Sequence, residues 1–363
     1  MARVRVGLSL LTLVPGISGG SETYARGLAR ALAARSTAET VAFVPTLAPD
    51  AGEGLASIVV DAYRASTSTP GRLLAMGRAA VAPGPIRRPF SGLDVVHYPL
   101  TVPVPSVART PAVVTLHDLQ HHDLPRLFPR GERLFRRLAY DRAGRRADAV
   151  VVPSAFVADR ATALLDIAPG RLHVIPHGVD HDRFSPGGEE QKEELLLYPA
   201  RPWPHKNHGT LLEAFALLRR ERPELRLVLT GAGTERFAGL DGVEARGAVP
   251  LDELVALYRR AACCVVPSRY EGFGAPPLEA MACGTPVACA RSGSLPEVCG
   301  DAAVLFDPER PEAIAAAVAE ALAAPEDLAG RGLARARLFT WDRSAASHEE
   351  VYASLTRAAS LTG

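Results

Sequence analysis

The chain runs to 363 residues, 47% of them hydrophobic, which is more than one hydrophobic core ordinarily serves and enough to bury two. Its 41 lysines and arginines nearly cancel 40 acidic residues, for a net charge of +1, so no global field draws it onto nucleic acid or an acidic membrane and function has to be sought in local sites. All five cysteines (Cys263, Cys264, Cys283, Cys289 and Cys299) fall in the second half, odd in number and without paired Cys-x-x-Cys spacing, a pattern that excludes a zinc framework and fits buried, reduced thiols in a cytosolic protein.

Residues 1–16 carry Arg3 and Arg5 ahead of an apolar stretch, in the manner of a signal peptide, but Pro15 and Gly16 lead into a glycine turn and a helical pattern. The segment is therefore read as a first buried strand. Short apolar runs at 4–10, 41–45, 95–98, 112–116, 149–152 and 172–175 alternate with helix-period segments, which predicts a parallel sheet with helices on both faces. The polar stretch 185–194 resembles a linker. A second alternating series follows, with strands expected at 195–198, 225–229, 263–266 and 286–288. The last segment opens at Thr340-Trp341-Asp342, a helix-cap pattern. Expected domains are 1–180, completed by a terminal helix over 343–363, and 181–342. No run approaches the roughly 18 apolar residues of a spanning helix, so any membrane contact is expected to be peripheral.

In open parallel sheets, ligands sit outside the carboxyl ends of the strands, and three loops there are unusual. The first, 15–22, contains Gly16, Gly19 and Gly20 before a helix; it suits an anion at the helix start or, equally, a tight turn. The second, 199–208, places Arg201 and Lys206 around a proline-rich turn. Lys206 is one of two lysines in a chain that otherwise uses arginine, the other being Lys192 in the charged linker. A compact ammonium kept at that place points to a phosphate oxygen rather than to a solvated loop. The third, 267–286, is a glycine turn feeding a proline-started helix. There the amides of Phe273, Gly274 and Ala275 are expected to face an anion, and Glu279, in the helix's first turn, could complement its dipole or hold vicinal hydroxyls.

Glu271 and Glu279 stand in a Glu-x7-Glu arrangement inside Glu-Gly-Phe-Gly-x-Pro-x-Leu-Glu-Ala-Met-Ala-x-Gly-x-Pro-Val. With Gly19-Gly20, His117-Asp118, Val152-Pro153-Ser154, the run from Ile175 to Asp180, and Arg201 with Lys206, this resembles glycosyltransferase family 4 over nearly the whole chain. The resemblance implies the α/β GT-B fold, two doubly wound Rossmann-like domains facing each other across a cleft, the first binding the acceptor and the second the nucleotide-sugar donor. It implies a retaining hexosyltransferase acting from a UDP- or GDP-sugar on a hydroxyl acceptor (glycan, lipid-linked or small molecule), with no metal and no other cofactor. Arg201 and Lys206 are implied to hold the diphosphate and Glu279 the ribose. Glu271 would touch sugar hydroxyls, and Phe273, Gly274 and Ala275 the phosphates or the sugar. Gly19 and Gly20 belong to the loop closing on the donor, His117 lies beside the reacting sugar, and Val249 offers backbone to the base. The family's Gly-Arg appears here as Ala200-Arg201.

Other signals carry less. His117 and His121 could share a metal on one helix face, but a surface loop with one inward histidine fits the strand end better. Asp180-His181-Asp182 spells a metal-type Asp-x-Asp in the interdomain connection. Gly231-Ala232-Gly233 lacks the third glycine of a dinucleotide fingerprint. The arginine-rich stretch 126–146 reads as a solvated face or a dock for an anionic acceptor at the inner face of a membrane. A sugar-nucleotide epimerase, a phosphorylase and a non-catalytic sugar-nucleotide binder are the alternatives. Acceptor choice is expected to lie in 46–57 and 65–88.

Overall fold

The structure is a computed structural model and describes residues 3–17, 19–35, 37–188 and 191–362, with side chains to 357. Ser18 of the first glycine loop, Glu189 and Glu190 of the polar stretch, and the end of the terminal segment lie outside the described residues. The chain forms two compact units, Met1–Gly178 with Trp341–Gly363, and Val179–Thr340.

In the first unit the order is β1 (Arg5–Ser9), α1 (Gly20–Ala33), β2 (Glu39–Val44), β3 (Ala56–Val59), α2 (Thr69–Val81), α3 (Gly84–Arg87), β4 (Val95–Tyr98), β5 (Ala112–Thr115), α4 (Gln120–Asp123), α5 (Arg130–Arg136), a π turn (Arg137–Asp141), α6 (Arg142–Arg146), β6 (Ala149–Val152), α7 (Ala155–Leu165) and β7 (Leu172–Val174). The strands form one parallel sheet in the order β3-β2-β1-β4-β5-β6-β7, so the winding reverses between β1 and β4. The second unit runs β8 (Glu193–Pro199), α8 (His208–Glu221), β9 (Arg226–Thr230), β10 (Val243–Gly247), α9 (Leu251–Arg260), β11 (Ala261–Val266), α10 (Ala275–Ala282), β12 (Val287–Ala290), α11 (Leu295–Cys299), β13 (Val304–Phe306), α12 (Pro311–Ala323) and α13 (Pro325–Ala336). Its parallel sheet has the order β10-β9-β8-β11-β12-β13, with the reversal between β8 and β11. The central strands are continuous apolar runs because both their faces are covered: Leu195, Leu196 and Leu197 of β8 are each fully buried, as are Val265 and Cys264 of β11.

Three strands absent from the sequence reading, β3, β10 and β13, are all sheet edges. Ala56–Val59 is exposed throughout, and β10 alternates charge within Val-Glu-Ala-Arg-Gly. A strand covered on fewer sides does not present the unbroken apolar run by which the central ones are recognised. The polar stretch after residue 185 is not free of the core either. Lys192 Nζ donates to the carbonyl of Ala261 and the hydroxyl of Thr285, both at 3.0 Å, and burial pushes its pKa down to about 8.

The terminal helix α14 (Trp341–Thr362) belongs to the first unit. Ala345, Val351 and Tyr352 enter the core with Tyr24, Leu28, Val95 and Val113. A buried polar chain fastens it. His348 Nδ1–H donates to the Ser344 carbonyl (2.7 Å), which leaves Nε2 to accept from the Tyr24 hydroxyl (2.8 Å). Tyr24 then accepts from Thr115 (2.9 Å), Thr115 from His97 Nε2–H (2.8 Å), and His97 Nδ1 from the Tyr352 hydroxyl (2.7 Å). The carbonyl at one end fixes the direction of every donor behind it. The scheme needs neutral imidazoles, and burial supplies them by pushing His97 well below its ordinary pKa and His348 down to about 4. Tyr352→Phe is expected to leave His97 Nδ1 without a donor and to cost about 1–3 kcal/mol, read as a lower urea midpoint for the first unit.

Candidate functional site

The second unit assembles its site where β8 and β11 lie side by side and their loops leave the carboxyl edge. Loop 200–207 carries Arg201 and Lys206; loop 267–274 carries Glu271 and ends at Gly274, the cap of α10. Three contacts tie the loops together, and a fourth fastens the first loop to its own strand. Lys206 Nζ meets Glu271 Oε1 at 2.6 Å, with side chains 15% and 12% exposed. The Arg269 amide donates to the His205 carbonyl at 2.7 Å. Asn207 Nδ2 donates to the Pro267 carbonyl at 3.1 Å, and the Tyr198 hydroxyl, from β8, donates to the Lys206 carbonyl at 2.8 Å. Behind Lys206, His208 Nε2–H donates to the Ala200 carbonyl at 3.2 Å; burial lowers that imidazole to about 4, so it stays neutral. Arg201 lies with its guanidinium carbon 5.9 Å from the centre of the Trp203 ring, a cation–π distance.

Two glycines hold these loops at close quarters. Gly231, at φ +117°, leaves no room for a side chain, since a Cβ there would fall 2.8 Å from the Ala200 carbonyl carbon and 2.9 Å from the Arg201 nitrogen. The glycines of 231–233, which resemble a dinucleotide turn in sequence, thus back the Arg201 loop. Gly293, at φ +56°, likewise would set a Cβ 2.6 Å from the Glu271 carbonyl oxygen. Next to it the Ser294 hydroxyl donates to the Phe273 carbonyl at 2.7 Å and Ser292 to the Ser268 carbonyl at 2.5 Å. The loop after β12 therefore braces the Glu271 loop. Sequence reasoning missed Tyr198, Asn207, Ser292, Gly293 and Ser294. Of these, Asn207, left-handed at φ +60° ahead of α8, and the Ser292-Gly293 pair, with Gly293 at φ +56°, carry a recognisable turn signal.

Glu279 corrects one expectation. Helix α10 begins at Ala275, with prolines in its first turn, so Glu279 stands in the second turn and not the first. It cannot be a simple dipole complement. Its carboxylate accepts from the Tyr258 hydroxyl of α9 at 2.8 Å. Burial raises its pKa to about 7 against the lowering effect of that hydrogen bond, and the tyrosine is itself pushed well above its ordinary value. Val249 is half-buried in the loop between β10 and α9.

Gly19, Gly20 and His117 belong to the first unit. Gly19 caps α1 at φ +55° and Gly20 is the helix's first residue; the Gly16 amide donates to Glu22 at 2.8 Å, closing the turn. His117, just beyond β5, donates from Nε2 to the Pro99 carbonyl at 2.8 Å and meets the edge of the Tyr24 ring at 5.0 Å. Burial lowers its pKa, and the donating Nε2 leaves Nδ1 as the acceptor. His121 does not share a helix face with it. His121 and His122, on the short helix α4, both turn to Asp141, their Nε2 atoms 3.0 and 2.9 Å from its two oxygens. Among the described residues this is the one cluster of such side chains close enough to hold a metal. Burial alone would raise the Asp141 carboxyl, yet the two imidazoles hold it below the usual range. His181, within the Asp-x-Asp, donates to the Phe339 carbonyl at 3.1 Å and so fastens the start of the second unit to its end.

The Glu279 carboxyl gives a pH test. Its folded pKa lies above the unfolded value, so the proton it keeps stabilises the fold most at low pH. That advantage is lost as pH climbs from about 4.5 to 7 and beyond. Relative to the parent, Glu279→Gln is expected to gain roughly 3 kcal/mol between pH 4.5 and 8, measured as the pH dependence of the second unit's melting.

Comparison with known proteins agrees with the architecture. The profile of "Glycosyltransferase Family 4" matches residues 18–183 and that of "Glycosyl transferases group 1" residues 180–331. A D-inositol 3-phosphate glycosyltransferase of Segniliparus rotundus is 33% identical over 68% of this chain and 60% of its own length. One of Actinosynnema mirum is 31% identical over 93% and 95%. The aligned part of the chain thus spans less than two thirds of the first relative and nearly all of the second. The solved structure of Anabaena HepE in complex with UDP and glucose superposes with a TM-score of 0.72 at 17% identity, over 97% of this chain and 100% of the other. With two doubly wound parallel sheets of the GT-B class, the chain belongs to glycosyltransferase family 4.

Proposed function

We propose that the protein is a retaining hexosyltransferase that moves a sugar from a UDP- or GDP-sugar to an acceptor hydroxyl without a metal ion. The observation that carries this reading is the Lys206–Glu271 pair, held across the two strand-end loops of the second sheet at 2.6 Å. An ammonium fixed at a topological switch point, close in sequence to Arg201 and with a proline-started helix after the facing loop, is a cationic cradle suited to a diphosphate. The relatives named for sugar transfer and the solved neighbour holding UDP and glucose support a nucleotide-sugar donor.

When the bond from the anomeric carbon to phosphate breaks, negative charge grows on the leaving diphosphate, and groups that bind it more strongly then lower the barrier. Arg201, Lys206 and the amides at Phe273, Gly274 and Ala275 are assigned that task. Glu271 has a second one. Its other carboxylate oxygen can accept sugar hydroxyls while the first holds Lys206 in place. Glu279, sharing its proton and the Tyr258 hydroxyl, matches a ribose diol, and Val249 offers backbone to the base. Gly19 and Gly20 are assigned to contacts with the donor. The acceptor proton passes to the leaving phosphate as the new bond forms on the same face. His117, neutral and tethered to Pro99, is then a positioning group. The five buried thiols favour a reducing, cytoplasmic setting.

Lys206→Ala is expected to slow turnover by about 10- to 100-fold, the equivalent of one charge-assisted hydrogen bond of roughly 1.5–3 kcal/mol. Because that change also strands the Glu271 carboxylate, Lys206→Ala with Glu271→Gln serves as a control: it should regain melting temperature and stay slow. Parent-like turnover in both would end the assignment. NMR of the product from a thermal-shift-selected donor should show the donor's anomeric configuration, at a rate unchanged by EDTA. An inverted product, donor epimerised without acceptor, sugar released to inorganic phosphate, or binding without turnover would each replace the reading with another.

A further inference from the structure

The first unit holds a cavity of about 710 Å³ whose lining includes none of the residues assigned to the donor or to the reacting sugar. It lies between the sheet, α2, α6 and the connection from β4 to β5. Its floor is apolar, with Tyr98, Val114 and Met76; four arginines, Arg87, Arg109, Arg142 and Arg146, line it as well. The cavity reaches Pro111–Ala112 and Ala147–Asp148, where β5 and β6 begin, whereas His117 follows the opposite end of β5. A ligand there leaves the transfer residues untouched.

The charge is unbalanced. The guanidinium groups of Arg109, Arg142 and Arg146, all exposed residues, make no hydrogen bond or ion pair with any described residue, and Arg87 spends only its Nε on the Ser106 carbonyl, at 2.5 Å. One acid, Asp148, lines the cavity, and its Oδ2 is occupied by the Ala112 amide at 2.8 Å. Two other arginines of this region are matched: Arg136 lies over the rings of Phe128 and Tyr140 and pairs with Glu132, and Arg160 pairs with Asp123. Apolar surface continues beyond the cavity. Leu138, which lines it, is 63% exposed, and Leu134 on α5 is 58% exposed.

We infer that this cavity is a second binding site, for an amphiphile with a phosphate head and an apolar tail. Unpaired guanidinium forks match phosphate oxygens in geometry and charge, and an apolar floor continued by uncovered leucines gains from a hydrocarbon body. The head can come from a soluble alkyl phosphate or from a lipid in a bilayer.

Calorimetric titration with octyl phosphate, below its micelle concentration, tests the site. One saturable site is expected, at least tenfold weaker in the variant Arg142→Glu with Arg146→Glu. Arg109→Asn, which keeps a residue tolerant of the local φ of +74°, should weaken it by a smaller factor. Arg130→Glu, on α5 and outside the cavity lining, should bind as the parent does. Octyl glucoside and inorganic phosphate should each bind far more weakly than octyl phosphate. Parent-like affinity in the double variant, or equal binding of either half-ligand, overturns the inference. Co-sedimentation with phosphatidylglycerol but not phosphatidylcholine vesicles, lost in the double variant, assigns the head to a lipid; octyl phosphate binding without vesicle binding assigns a soluble amphiphile.

Discussion

One ion pair organises the second unit. Lys206 and Glu271 come from loops far apart in sequence, and each is nearly withdrawn from water. A half-buried charge is tolerable only when its partner is fixed, so the surroundings are built to fix both. The Lys206 carbonyl is held by Tyr198, the neighbouring Asn207 by Pro267, and the Glu271 backbone by the side-chain-free surface of Gly293. Parallel β8 and β11 make this bracing feasible, since adjacent strands running the same way deliver their loops to the same edge. The requirement for close backbone approach then dictates glycine at 231 and 293.

In the first unit, neutral imidazoles do comparable work. The relay from Tyr352 to Ser344 crosses from β4 and β5 to α1 and α14. The Tyr24 ring in its middle packs against both His117 and His177. Burial does not merely tolerate the histidines uncharged; it enforces the one protonation pattern in which every donor has an acceptor. The terminal helix is therefore a structural member of the first sheet's back layer, bound by polar direction as well as by apolar packing.

Much of this was legible in the sequence, and what was not has a common cause. Central strands announce themselves as runs such as Leu195-Leu196-Leu197, because both faces are buried, and the glycine and proline punctuation of 267–286 marks a turn into a helix without reference to anything distant. The full signature around Glu271 and Glu279, with the motifs elsewhere in the chain, placed it in its family. Edge strands gave no such run. Glu279 was placed a turn too early, and neither its contact with Tyr258 nor its elevated pKa follows from spacing, because both depend on α9 packing against α10. The sharing of Asp141 by His121 and His122, across 20 and 19 residues, is equally a product of folding. Local rules reached what local sequence determines, and long-range pairings had to be seen.

The cysteines have a use that their chemistry hides. All five are buried in the second unit. Burial raises Cys263 and Cys283 to about 12 and Cys264 well beyond its ordinary range, while Cys289 is raised chiefly by its contact with Cys299. In the folded state all five sulfurs are shielded from solvent, and the four with raised values are held protonated, which makes them poor nucleophiles. Electrophilic labelling of the native protein therefore proceeds only through opening of the second unit and is blind to the first. The chain carries its own clock for the breathing of one half.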